Sequence, residues 1–256
     1  MPVNVSLSLG TLYGFALVLA RISGALVFVP MPGMKSVADP ARAAFALGFS
    51  VALMPLWPVV PPPYGAARLA GWAVGEAAVG MSIGVAVALV MEGFTLGAQI
   101  LGLQAGYAFA STIDPNTEAD SGVLLVFAQL VSGMLFFALG LDREVLRLFA
   151  ESLVKAPPGV YHLGPEAGLA MIRLGSSMFS VGARLALPLV ALLVMVDVAL
   201  ALLGRINSQL QLLSLAFPAK MLTGLMVLSW LAVLFPRLML QSAGLGWATA
   251  RRVLGL

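Results

Sequence analysis

The chain has no cysteine and a single histidine, His162. The first absence excludes thiolate metal sites, iron–sulfur clusters and disulfides; the second excludes a multi-histidine metal centre. Charge is scarce as well. Only 10% of the 256 residues are charged, 14 basic against 11 acidic, where a soluble domain carries about 25%. So few charges cannot cover a folded chain of this length in water. They also exclude a disordered chain and a bare nucleic-acid binder, since both need many charges.

What the sequence has instead is apolar length. Hydrophobic residues make up 61%, and the mean hydropathy is +1.02. No charge lies between Met1 and Arg21, between Arg42 and Arg68, between Glu92 and Asp114, or between Asp120 and Asp142. A membrane-spanning helix needs about 20 mostly apolar residues. The expectation is an all-α integral membrane protein of polytopic helical hairpins, with spans at 9–30, 43–58, 69–91, 93–112, 122–141, 168–204 and 206–236. Prolines set several ends, at Pro30 and Pro32, at Pro58, and at Pro61 to Pro63, because proline lacks the amide donor and clashes with the preceding turn. No basic residue precedes the apolar stretch from Leu9, so a cleavable signal peptide is not expected. The polar stretch 142–167 reads as an amphipathic helix followed by a loop at Pro157-Pro158-Gly159.

Seven spans require a break at Glu92–Gly93 within 69–112. Lys35, Arg42, Arg143, Arg147, Lys155, Arg237, Arg251 and Arg252 then share one side, eight in all, against Arg68, Arg205 and Lys220 on the other. The basic excess predicts an outside N-terminus and a cytoplasmic C-terminus, for a flat bilayer.

Glycine pairs recur at i, i+4: Gly71/Gly75, Gly80/Gly84, Gly93/Gly97 and Gly102/Gly106. Glycine is common in membrane helices, but this spacing lets helix backbones approach closely, against neighbouring helices or other chains. Gly80-Met81-Ser82-Ile83-Gly84 matches a nucleophile-elbow pattern, yet that motif needs a strand-to-helix turn and an acid–base partner. It reads as packing. Asn4-Val5-Ser6 fits a glycosylation acceptor by three residues alone.

Arg21, Glu76, Arg173, Arg184, Asp197 and Lys220 lie inside apolar segments. A lone charge at a helix centre costs about 2.5–3.5 kcal/mol on insertion scales. Such groups either relay ions or pair at helix contacts, and the scatter of the carboxylates favours pairing. Asp197 and Lys220 stand about 11–12 positions on either side of a turn near Ser208 and Gln209, roughly 17 Å from its tip. They pair with each other in a hairpin, or each meets a different subunit. The stretch Ile113-Asp114-Pro115-Asn116-Thr117-Glu118-Ala119-Asp120-Ser121 is polar and turn-prone between apolar segments. Composition alone leaves it a plain loop or a functional one.

Gly102-Leu103-Gln104-Ala105-Gly106, followed by Phe109-Ala110 and Asp114-Pro115, resembles the central signature of the FliR family of the flagellar type III export apparatus. Ala186-Leu187-Pro188, the stretch Leu200 to Arg205, Gln209-Leu210 and Phe217-Pro218-Ala219-Lys220 resemble its second signature. Ser208 and Gln211 depart from the family's usual proline and asparagine, which touches the conformation of the turn at 204–211. The resemblance implies a single export-gate domain over 1–256, with a FliP-like part at 1–167 and a FliQ-like hairpin and tail at 168–256. It implies FliP-like, FliQ-like and FlhB-like partner subunits and contact with membrane lipid. Unfolded flagellar subunits would pass outward, driven by the proton-motive force and an ATPase. The location would be the bacterial inner membrane within the flagellar basal body, with part of the assembly raised above the bilayer plane. It also implies that the loop within 106–121 plugs the channel, with Phe109, Thr112, Ile113, Asp114, Pro115, Asn116 and Glu118 as gating residues.

Two alternatives remain: an injectisome export protein of the SctT branch, and a small-molecule secondary transporter. The latter predicts clustered ion-binding groups and symmetric halves, and neither is evident. An intramembrane enzyme lacks paired catalytic groups. No catalytic residue, metal, cofactor or nucleic-acid partner is expected.

Overall fold

The computed structural model describes residues 8–29, 39–62, 65–106, 123–159, 164–206 and 212–255. Those residues are helical throughout apart from turns and short extended links. The elements are α1 (Leu9–Leu26), α2 (Asp39–Ala52), α3 (Ala66–Ala105), α4 (Val123–Ala138), α5 (Leu141–Lys155), α6 (Pro165–Ile206), α7 (Leu212–Leu231) and α8 (Phe235–Val253). Short 3-10 turns sit at Met54–Leu56 and Ala232–Leu234.

Local chemistry accounts for the ends. Ser8 caps α1, its hydroxyl accepting from the Thr11 amide, which satisfies one of the first-turn donors. Pro165 opens α6, where its missing N–H is not needed. Gly106 ends α3 at φ +86°, a left-handed conformation that only glycine adopts without penalty. Gly140, at φ +69°, separates α4 from α5, and the two helices bend by 64° there. Pro236 explains the 3-10 turn before it: the ring removes the bond to residue 232 and clashes with that carbonyl.

The continuity of α3 corrects the seven-span expectation. No break occurs at Glu92–Gly93, because one glycine costs only about 1 kcal/mol in a helix interior and no proline lies between 66 and 105. Four described helical stretches are long and apolar enough to cross a membrane, within 9–26, 66–105, 165–206 and 218–253, and the bent α4–α5 pair makes a fifth at most. Forty residues correspond to about 60 Å of helix, twice the hydrocarbon thickness. The expected crossings at 43–58 and within 69–112 are thus replaced by a 14-residue α2 and a single continuous α3, so the eight-to-three count made on seven spans does not carry over as drawn.

The chain forms two compact units. One comprises 1–89, 140–175 and 243–256; the other 90–139 and 176–242. Both draw on either side of the 167/168 division. The first has its core in Leu17, Val18 and Ile22 of α1, Val79, Ile83 and Val87 of α3, and Leu148, Phe149 and Leu153 of α5. In α5 the buried positions 141, 145, 148, 149, 152 and 153 recur at helical spacing, as an amphipathic helix requires. The second centres on Leu101, Leu124, Ala186 and Leu189, with Val227, Leu228 and Leu231 packed against them.

Candidate functional site

In the first unit, glycine decides how close α1 and α3 come. A side chain at Gly80 would strike the Arg21 carbonyl, and one at Gly84 the Ala25 carbonyl; on α1, Gly24 faces the Ala77 carbonyl in the same way. This approach places the Arg21 side chain, fully buried, beside Glu76, exposed to 1%. The guanidinium Nε donates to Glu76 Oε2 at 2.6 Å. Its Nη1 donates to the Ser152 carbonyl at 2.8 Å and to Ser152 Oγ at 3.1 Å, and Nη2 donates to the Ala156 carbonyl at 2.9 Å. The second Glu76 oxygen accepts from the Gly159 amide at 2.9 Å.

The pair is therefore also a helix cap. Ser152 and Ala156 stand at the C-terminal end of α5, where the helix dipole favours a cation; the Ser152 carbonyl, which also accepts from the Ala156 amide, takes Arg21 as a second donor. Gly159 meets the carboxylate at φ +84°, and its Cα lies so close to the Trp72 ring that a Cβ would sit 3.1 Å from it. Trp72 in turn carries the Arg68 guanidinium 4.6 Å from its ring centroid. One buried pair thus ties together α1, α3, the end of α5 and the turn after it. At the surface, Arg251 Nε reaches Glu151 Oε2 at 3.2 Å; both are over a third exposed, a geometry worth about 0–1 kcal/mol.

In the second unit, Gly93 and Gly97 face Val181, Gly182 and Leu185 of α6, with ideal Cβ positions 3.1–3.3 Å from those atoms, and Gly182 faces Leu96 in return. Helices α6 and α7 run antiparallel: Leu189 and Leu228 share one cluster, and Leu193 and Gly224 line one small cavity. In the same register Lys220 Nζ lies 2.9 Å from the Asp197 carboxylate. Lys220 is mostly buried and Asp197 is half-exposed.

The expected packing glycines therefore differ in what they meet. Gly80, Gly84, Gly93 and Gly97 contact a neighbouring helix, whereas Gly71 and Gly75 have nothing within 4 Å of a Cβ position. Gly102 comes only within 4.0 Å of Leu124, and Gly106 terminates its helix. Arg173 and Arg184 are exposed on α6. The proposed gating residues Phe109, Thr112, Ile113, Asp114, Pro115, Asn116 and Glu118 lie outside the described residues. No group of three metal-binding side chains occurs among the described residues.

Long apolar helices, close glycine crossings and charges paired inside the helix layers define a helical membrane protein. Residues 12–244 match the family described as bacterial export proteins, family 1, and the chain belongs to it. It is 30% identical to the flagellar biosynthetic protein FliR of Caulobacter vibrioides over 229 residues, covering 85% of this chain and 87% of that one. To FliR of Escherichia coli it is 29% identical over 218 residues, 85% and 82% of the two chains. To FliR of Pectobacterium carotovorum it is 26% identical over 222 residues, 87% and 84%.

Proposed function

We propose that this chain is a structural and gating component of the flagellar type III protein export channel in the bacterial inner membrane. The observation that carries the reading is the likeness to FliR proteins over more than four fifths of both chains. Those relatives are flagellar by name, which favours this reading over the injectisome alternative. In it, FliP-like and FliQ-like subunits complete the helix packing, an FlhB-like subunit docks on the cytoplasmic side, and unfolded flagellar subunits are the cargo. The polar loop within 106–121 acts as the plug. Its sequence suits closure better than packing, because Asp114, Glu118 and Asp120 are acidic and Asp114-Pro115-Asn116 favours a turn.

Co-expression with FliP-like and FliQ-like chains and affinity purification of this one is the direct test. Both subunits should accompany it in a fixed ratio; their absence from a native-detergent preparation would overturn the assembly role. Deleting 109–118 should leave that assembly intact and make the membrane leaky to small solutes. Loss of the complex without any leak would reassign the loop to structure.

A further inference from the structure

Within the second unit, the apolar stretch of α6 has a defined length. Arg184 and Arg205 are both exposed, and the run between them, 185–204, holds a single charge, Asp197. Twenty residues of helix measure about 30 Å, the thickness of a bilayer's hydrocarbon. The exposed side chains of that run are all apolar, among them Leu187, Val194, Met195, Val198 and Leu202. Just before it, α6 exposes Ser176 and Ser180. Asp197 is bound to Lys220, so neither is a lone charge in an apolar layer.

Helix α7 keeps step with that run. Leu189 lies by Leu228, Leu193 by Gly224 and Asp197 by Lys220, each pair four positions on along α6 and four back along α7. This register sets Arg205 level with Leu212, where α7 begins, and Arg184 level with Val233, in the 3-10 turn that follows it. Prolines mark the same two levels. A proline deprives the carbonyl four residues earlier of its helical donor, and backbone short of its full helical bonding is best tolerated beside water and headgroups. Pro188 does this to the carbonyl of Arg184, and Pro236 to that of Ala232, one position from the same height. Pro218 does it to Ser214, two positions from the level of Arg205. No proline frees a carbonyl between those levels. Trp230, 78% exposed, stands three positions inside the level of Arg184, where an indole suits the edge of a membrane.

We propose that the α6–α7 hairpin faces lipid directly, with the hydrocarbon layer running from Arg184 to Arg205 and each arginine meeting the phosphates of one leaflet. Neither arginine forms an ion pair with another described residue, and a long cationic side chain at a helix boundary reaches outward to the headgroups. A neighbouring protein helix fits this face less well. Where helices of this unit meet closely they use glycine, at Gly93, Gly97 and Gly182, whereas the outward positions between the arginines carry leucine, valine and methionine. A protein partner also gives no reason for two arginines, three prolines and a backbone irregularity to gather at two levels about 30 Å apart.

The inference rests on the membrane location and not on what the assembly exports, so it can fail while the co-purification test succeeds, and the reverse. The chain has no cysteine, which allows single nitroxide labels at Ser180, Leu187, Met195, Leu202 and Ile206, all exposed on α6. The full chain, with whatever subunits accompany it, is placed in vesicles of phosphatidylethanolamine and phosphatidylglycerol. Relaxation by dissolved oxygen, which concentrates in hydrocarbon, is compared with relaxation by a water-soluble nickel chelate. The oxygen-to-nickel ratio should peak at Met195, midway between the arginines, and be several-fold lower at Ser180 and Ile206. Arg184→Leu should move the maximum toward Ser180 by about one turn, since one anchor of the helix's depth is gone. Low accessibility to both reagents at Met195 would mean a protein cover, and strong nickel relaxation there a water-filled path. Either result overturns the proposal, as does a maximum that stays in place in the Arg184→Leu variant.

Discussion

Arg21 and Glu76 show why a buried charge in this chain is safe only as a complete set. Each lies in an apolar helix, and Arg21 places three of its nitrogens on one carboxylate, two carbonyls and a hydroxyl. Removing one member of such a pair leaves an uncompensated buried charge, at about 3–5 kcal/mol. Arg21→Met and Glu76→Leu should each destabilise by that amount, read as a lower melting temperature of the detergent-purified complex. The double replacement should cost less than the sum and still fall short of wild type, because the Ala156 carbonyl and the Gly159 amide lose their partners. Asp197 and Lys220 differ, since Asp197 is 43% exposed and the pair needs to add little net stability. Its expected role is to hold the register of α6 against α7. Lys220→Met or Asp197→Leu alone should lower assembly yield more than both together; a double variant no better than the worse single one would refute the register role.

Glycine identity says less about an element than what faces the glycine. Gly80 and Gly84 oppose the backbone of α1, so Gly80→Ala and Gly84→Ala should force the helices apart and lower stability. Gly71→Ala and Gly75→Ala meet open space in this chain and should gain up to about 1 kcal/mol of helix propensity each. Comparing complex stability across the four variants distinguishes the two classes. If the open pair proves as damaging as the closed pair, that face of α3 is covered by another subunit. Pro236 governs the other irregular element. Pro236→Ala should restore the missing bond to residue 232 and convert the 3-10 turn to α-helix, measurable as a gain of protected amides at 233–236 in hydrogen exchange.

At the scale of the molecule, too much apolar surface remains uncovered for a chain that acts alone. Ile206, Met226, Trp230 and Val233 are each exposed to between 78% and 84%. Lipid and the subunits proposed above would cover this surface. Expressed without the proposed FliP-like and FliQ-like partners, the chain should aggregate or be degraded, and a monodisperse monomer in mild detergent with native helix content would refute that dependence. Much of this was legible beforehand. Composition and uncharged runs imply a helical membrane protein, and equal distances from one turn place Asp197 opposite Lys220, whereas Gly106, expected to pack, ends its helix instead. The Arg21–Glu76 set was not legible, because its members are 55 residues apart and no local spacing connects them. Its one sequence signal was the cost of leaving either charge alone in an apolar run.

Hydropathy and propensity act through neighbours along the chain, so the sequence by itself determined the membrane class, the all-helical character, the amphipathic face of α5 and the family signatures. Contacts between distant segments depend on which backbones can approach. Only the tertiary structure therefore decided that α3 runs unbroken through Glu92–Gly93, that four of the eight paired glycines meet a neighbouring helix, and that Arg21 caps the end of α5. The break expected at Glu92–Gly93 failed for the same reason. A charge beside a glycine weakens a helix locally, but α6 packs onto Gly93 and Gly97 and holds the helix through that point.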